Sequence, residues 1–297
     1  MDNLTHSLVG ALIGQTGLKR RTGLAMPALI IGANLPDVDA ACFFWLDGVQ
    51  HLAFRRGITH DPIAWVLLPL VLAGLLYGFD RWQARRGKRP AEQLPARFGW
   101  LYTLSLLATL THPALDWLNS YGIRLMEPFS SRWFYGDTLF IIDVWLWLLL
   151  GGATWLSLRR EKRGGDWRTP AFIALGVALL YISANKVISW TMAATAPNAF
   201  ASPLPIASWQ REVIADAGAN QWRVGGEYLG DCNLDSAVAA AGRNPDLDAF
   251  LFWSRAPFAE RAPDGWVLIR DARFYDPRAR DRFTVALPEV RCEELVP

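Results

Sequence analysis

Thr109-Leu-Thr-His112-Pro-Ala-Leu-Asp116-Trp-Leu-Asn119 closes an apolar run that begins near Phe98. His112 and Asp116 are four residues apart, so a helix sets them one turn apart on the same face. A neutral imidazole and a carboxylate converging from one face suit a divalent metal such as zinc. The pair also stands at the end of its apolar run, which places it near one surface of a membrane. The other apolar runs are arranged around this one.

Runs at about 62–80, 98–118, 138–158 and 169–192 are each long enough to cross a bilayer, which takes roughly 20 residues. Two shorter runs precede them, at 5–18 and about 23–33, and suggest a short, tilted or partly re-entrant helical hairpin. Arg81, Arg85, Arg86, Lys88, Arg89 and Arg97 crowd one connection, and Arg159, Arg160, Lys162, Arg163 and Arg168 another. The connection 119–137 holds only Arg124 and Arg132 as basic residues. The bias of basic residues toward the cytoplasmic side then puts loops 81–97 and 159–168 inside, with Lys19–Arg21 at the tip of the hairpin. That topology gathers His6, Asp37, Asp39, His60, His112 and Asp116 at the outer face. The expected fold is a membrane all-α domain over 1–193, a short hairpin plus four transmembrane helices. A soluble α+β domain over 197–297 follows on the same outer side. Strands are expected near Trp222 and Trp266, and a short helix over 234–241.

Composition narrows the function classes. Hydrophobic residues make up 52% of the 297, and the 15 Trp fall mostly near the ends of apolar runs, as interfacial aromatics do. No basic patch interleaved with aromatics points to nucleic acid. Asp2 occupies the place of a positive leader region, and no signal peptide is expected. The three cysteines form no CxxC pair. Cys232 and Cys292 fall in the outer domain, where they either pair as a disulfide or stay buried thiols.

Six potential ligands exceed one tetrahedral zinc and suit two nearby ions. Asp39 is either a ligand or a base that orients water, and Asp37 and Asp39 beside Pro36 also fit a helix start. Arg55 and Arg56 precede His60, where a guanidinium can hold a substrate phosphate or a lipid headgroup. Asn119, Arg132 and Asp137 either bind substrate or cap local structure. His51 reads as a loop residue. Asp143 and Lys186, each about five residues inside the outer end of its span, are expected to meet in an ion pair or a shared hydrogen-bond network, with Lys186 attracting an anionic substrate; otherwise Lys186 snorkels outward and Asp143 caps or bonds a local backbone group.

Five motifs carry a resemblance. They are Asp2-Asn-Leu-Thr-His6-Ser-Leu-Val-Gly10, Asn34-Leu-Pro-Asp37-Val-Asp39, Arg56-Gly-Ile-Thr-His60, His112-Pro-Ala-Leu-Asp116-Trp-Leu-Asn119-Ser-Tyr-Gly122 and Gly136-Asp137-Thr-Leu-Phe-Ile-Ile-Asp143. Together they resemble the bacterial family of inner-membrane-bound metal-dependent hydrolases, which includes a member regulated by the LexA repressor. The resemblance covers roughly residues 1–192. The order of ligands is also similar to zinc-dependent phospholipase C and its nuclease relatives. Those enzymes hold three zincs on a further His and Glu ligand set, and no such set follows Asp116. The resemblance implies a multi-pass inner-membrane hydrolase with its metal centre at the periplasmic face. A metal-bound hydroxide there attacks a phosphoester or other ester of a lipid, or of a substrate reaching the membrane surface. Its partners are membrane lipid and that substrate. Two other classes remain open on sequence: a transporter passing protons or metal ions, and a non-catalytic membrane module with a structural metal.

Overall fold

A computed structural model of the protein describes residues 1–275 and 283–294. Helix α1 spans Asn3–Gln15 and α2 spans Ala25–Asn34. A 3-10 segment, Leu35–Phe44, continues α2 directly. Helix α3 is a single turn, His51–Phe54. Four long helices follow: α4 (Pro62–Arg85), α5 (Phe98–Trp117), α6 (Val144–Lys162) and α7 (Thr169–Ala193). The chain then divides its residues between two compact units. One holds Met1–Asp39, Arg56–Lys186 and Pro205–Ser208. The other holds Ala40–Arg55, Val187–Leu204 and the described residues from Trp209 onward.

Local sequence explains where the helices of the first unit begin. Asp2 caps α1, its Oδ1 accepting from the Leu4 and Thr5 amides at 3.0 Å each. Asp61 caps α4 through the Ala64 amide at 2.7 Å, and Pro62 stands at the first helical position, where no amide hydrogen is needed. Asp143 caps α6 through the Trp145 and Leu146 amides. Among the described residues three stretches are long and apolar enough to cross a membrane by length and composition: Ala25–Phe44, Pro62–Arg85 and Thr169–Ala193.

These facts revise the expected pattern of spans. The run expected to end near Ala33 continues past α2, because the 3-10 segment carries it on to Phe44. Helix α5 forms where a span was expected, but Thr103, Thr109, Thr111, His112 and Asp116 dilute its apolar character. The expected span at 138–158 starts late, at Val144. The Thr138 and Leu139 amides are already bonded to the Leu118 carbonyl, and Asp143 caps the helix that follows.

Small residues let the helices of the first unit approach closely. A side chain on Gly10 would meet the Leu29 carbonyl oxygen at 2.5 Å, and one on Gly32 would meet the Ser105 carbonyl oxygen at 3.0 Å. The backbones of α1 and α2, and of α2 and α5, therefore nearly touch. Ala25, Ala28, Leu29 and Ala33 of α2 pack on Ala73 of α4 and on Leu101, Leu104 and Ala108 of α5. A second apolar cluster joins Leu12 of α1 to Leu146 and Leu150 of α6 and to Ala171, Ala174 and Ala178 of α7.

The described residues of the second unit form two antiparallel sheets. Strands β1 (Ala199–Pro203), β2 (Arg211–Gly218), β3 (Gln221–Val224) and β4 (Glu227–Leu229) form a four-stranded meander. Helix α8 covers Leu234–Ala241, the stretch read as a helix from sequence, and α9 covers Pro245–Trp253. Strands β5 (Pro257–Arg261), β6 (Trp266–Asp271) and β7 (Thr284–Arg291) make the second sheet. Phe200, Ile214, Val224 and Leu229 share a core with Ala256, Phe258 and Ala272. Cys232 and Cys292 are joined in a disulfide, which settles the alternative left open by the sequence.

Candidate metal centre

The close passage of α2 along α5 sets the centre. It brings the Ala33 carbonyl within 2.7 Å of His112 Nδ1. A carbonyl only accepts, so Nδ1 carries the proton and Nε2 of the neutral ring keeps its lone pair. His60 reaches the same place from the loop before α4. Its Nδ1 lies 2.9 Å from Thr59 Oγ1, and Thr59 Oγ1 donates to Asp39 Oδ2 at 3.3 Å. In the tautomer in which Thr59 donates to Asp39 and accepts from His60 Nδ1, His60 Nε2 is also left with a lone pair. The two Nε2 atoms are 3.2 Å apart. Burial pushes the His60 imidazole below its ordinary value, outweighing the pull of Asp116 and Asp39, which keeps the ring in its neutral, ligating form.

Two carboxylates complete the group. Asp116 Oδ2 lies 3.6 Å from both His60 Nε2 and His112 Nε2, and Asp37 Oδ1 lies 3.8 Å from His112 Nε2. One ligand atom from each of Asp37, His60, His112 and Asp116 falls within 4.8 Å of the others. A tetrahedral ion with bonds of about 2.1 Å spaces its donors by roughly 3.4 Å. The donor set passes a chemical test as well. In that tautomer of His60 the two nitrogens, 3.2 Å apart, repel each other, and two carboxylates beside them add negative charge. A divalent cation relieves both. The Met1 amine contacts Asp116 Oδ1 in the same buried space.

The remaining candidate residues take distinct places. His6 stacks on His112, with ring centroids 3.8 Å apart, and its Nε2 is 3.3 Å from Asp116 Oδ1. Neither ring nitrogen of His6 has a hydrogen-bond partner among the described residues. Asp39 lies on the far side of the His60 ring, 3.6 Å from Nδ1 and outside the group of four. It also accepts from the Arg56 amide at 2.7 Å. Arg56 is a non-glycine residue in the left-handed region, with φ of 57°. Its backbone is held there by Asp39 on one side and by the Arg124 amide, bonded to the Arg56 carbonyl, on the other. The Arg56 guanidinium is buried. Its Nε is 3.0 Å from Asp116 Oδ2, and its Nη1 donates to Asn119 Oδ1 at 3.0 Å and to the Gly122 carbonyl at 3.2 Å. Its plane lies over the Tyr121 ring. Asn119 is fully buried, and its Nδ2 has no partner among the described residues.

Arg55 belongs to the other unit, where it lies over the Phe43 ring. Lys186 donates to the Gly136 carbonyl at 2.6 Å and lies over the Trp117 ring. Among the described residues Lys186 and Asp143 form no ion pair, and Asp143 takes the capping alternative. Because α6 starts at Val144, Asp143 is a cap whose Oδ1 serves the free amides, and its Oδ2 accepts from Tyr181 Oη at 2.9 Å. The second ion expected from six ligands finds no second group among them. The one other cluster of three potential donors among the described residues is Asp231, Cys232 and Cys292, whose cysteines are disulfide-bonded. Sequence reading overlooked Thr59 and the Ala33 carbonyl. Thr59 stands beside His60 inside a quoted motif, which was the available signal; a backbone carbonyl carries none.

The chain is similar to "Uncharacterized protein YfhP" of Bacillus subtilis (strain 168), 29% identical over 141 residues. That match covers 45% of this chain, and the chain spans 39% of the length of this curated relative. No solved structure matches, and the expected likeness to zinc-dependent phospholipase C is not shown. The profile of the YdjM inner membrane protein family matches residues 1–192, the stretch that contains all five motifs and the four converging donors. The chain belongs to the YdjM inner membrane protein family.

Proposed function

We propose that the protein is a metal-dependent hydrolase of the bacterial inner membrane, cleaving an ester or phosphoester of a lipid or of a substrate at the membrane surface. The observation that carries this reading is the pair of facing Nε2 atoms of His60 and His112, 3.2 Å apart and flanked by Asp37 and Asp116. One divalent ion, zinc by the nitrogen and oxygen character of the donors, would be held by these four residues. Bound there, it would supply Lewis-acid activation of water and of the substrate oxygen. In the reaction a water oxygen bonds to the phosphorus or carbonyl carbon, the bond to the leaving alcohol breaks, and the leaving oxygen takes up a proton.

The chain's own residues prepare that site. Asp39 and Thr59 fix the ring of His60, and the Ala33 carbonyl fixes that of His112, as outer partners of metal-binding histidines do. Arg56 holds Asp116 in place, so its part is positioning. The buried Nδ2 of Asn119 is a donor suited to a substrate oxygen. The burial of His60, His112 and Asp116 also favours a second reading, a metal that only stabilises the fold. Purified protein in detergent separates the two. Hydrolysis of bis(p-nitrophenyl) phosphate should disappear with chelator and return with zinc. Retained metal without hydrolysis of phosphodiester or carboxylic ester substrates would leave the structural reading, and ion flux in liposomes would point to transport instead.

The centre and the C-terminal unit would both face the periplasm. The basic loops at 81–97 and 159–168 support that orientation, and so does a disulfide in the C-terminal unit, since such bonds persist in oxidising compartments. In a Cys42→Ser background, a cysteine replacing Arg86 is expected to be labelled only from the cytoplasm. One replacing Asn244 is expected to be labelled only from the periplasm. The reverse pattern would turn the centre inward.

A further inference from the structure

Three of the four donors are wholly enclosed, while the Asp37 side chain retains 9% exposure. Asp37 lines a groove of about 390 Å³ along α2 and the start of the 3-10 segment. The groove has two kinds of wall. Its polar side is a hydrogen-bonded row: Asn3 Nδ2 donates to Asp37 Oδ2 at 3.2 Å and to Asn34 Oδ1 at 3.3 Å, and Asn34 Nδ2 donates to Ser7 Oγ at 2.9 Å. Its apolar side is Ile30, Ile31, Leu35 and Val38, a stripe with helical spacing. Ile31 and Val38 are 44% and 54% exposed. The helical stretch that carries this stripe, Ala25–Phe44, is one of the three long and apolar enough to cross a membrane.

We infer that the substrate is a membrane lipid that enters sideways along this groove, its acyl chain against Ile31, Leu35 and Val38 and its ester or phosphoester group at Asn3 and Asp37. The inference rests on the hydrolase reading and narrows its substrate class. A soluble phosphoester would use the polar row alone, whereas a lipid uses both walls, its headgroup on the polar row and its acyl chain on the apolar stripe. The polar row ends on the one candidate ligand that reaches the surface, so a headgroup travelling along it arrives at the centre.

The test uses full-length protein, delipidated in detergent and supplied with zinc. Dioleoylphosphatidylglycerol is titrated in native mass spectrometry, which reads bound lipid and bound metal in one spectrum. Ile31→Asn combined with Val38→Asn is expected to weaken lipid binding about tenfold, the effect of losing apolar burial at two side chains. Bound zinc and binding of glycerol phosphate should be unchanged, and retained zinc shows that the first unit is folded. Leu180→Asn, at an exposed position on α7, should leave lipid binding as in the wild type. Equal lipid affinity in the groove variant and the wild type, with zinc bound in both, would overturn the groove and leave the metal centre standing. An equal loss in Leu180→Asn would overturn it too, by showing non-specific coating. Wild-type protein that takes up no zinc would overturn the metal reading, and the substrate inference with it.

Discussion

His112→Ala protein is expected to lose at least about a hundredfold in metal affinity while keeping its helices. Outer partners of metal ligands alone account for about 10–100-fold, and His112 is a direct donor. Its Nε2 lies within 3.8 Å of donor atoms from all three of the other candidate ligands. Helix α5 does not depend on this side chain for its backbone hydrogen bonds. Asp116→Ala should behave differently, because Asp116 also balances the buried Arg56 guanidinium. Removing one partner of a buried ion pair costs about 3–5 kcal/mol. Asp116→Ala should therefore lose metal and also melt early. Adding Arg56→Met to Asp116→Ala should recover much of the stability and none of the metal, a non-additivity expected of residues in contact. Metal content by elemental analysis and thermal unfolding in detergent are the measurements. Unchanged metal in both His112→Ala and Asp116→Ala would show the site to be misassigned.

A comparable loss is expected in the second unit from Asp271→Ala. Asp271 ends β6, is fully buried, and organises the corner between α9 and the second sheet. Its Oδ2 accepts from Ser254 Oγ at 2.5 Å and from Arg273 Nη2 at 2.7 Å, and its Oδ1 accepts from Arg273 Nε at 2.8 Å. Arg273 in turn lies over the Trp253 ring. Truncation removes the counter-charge that Asp271 supplies to that buried guanidinium, and about 3–5 kcal/mol of the unit's stability should go. Burial by itself would raise the Asp271 carboxyl. The Arg273 charge and the hydrogen bonds from Arg273 and Ser254 outweigh it and hold the carboxyl below the usual range. The folded state therefore binds this proton less readily than the unfolded chain does. The resulting stability is fully present above the unfolded value of about 3.9 and is lost as pH falls through the folded value. Asp271→Asn should accordingly be less stable than wild type near neutral pH, and the gap should narrow in acid. Hydrogen exchange over residues 253–274, followed against pH, reads this directly. A gap that does not change with pH would mean that the carboxylate charge is not what holds the corner.

The two stability predictions draw on residues with very different visibility in the sequence. His6, Asp37, His60, His112 and Asp116 could be singled out without any tertiary information. Each stands at the end of an apolar run or beside one, where an ionisable group is costly unless it has work to do. The alternation of basic and basic-poor connections then assigned these segments to one side. Helix caps were equally local, since Asp61-Pro62 is a start signal made of adjacent residues. Asp143 shows the limit of that locality. The same carboxylate reads as a buried charge if the helix begins at 138 and as a cap if it begins at 144. The choice was made by the Leu118 carbonyl, which binds the Thr138 and Leu139 amides.

The division of labour among the six candidate ligands was also invisible in one dimension. Asp37 and Asp39 are two residues apart in the same motif, yet one faces His112 Nε2 and the other faces His60 Nδ1. That difference comes from the turn of the 3-10 segment and from the anchoring of Asp39 by the Arg56 amide. Chain patterning determined which residue types gather at one end of the helices, because hydropathy and charge act on each segment separately. Which atoms point at one another was decided only by tertiary structure. It depends on how closely α2 can pass α1 and α5 at Gly10 and Gly32, and so on where the Ala33 carbonyl comes to rest against His112.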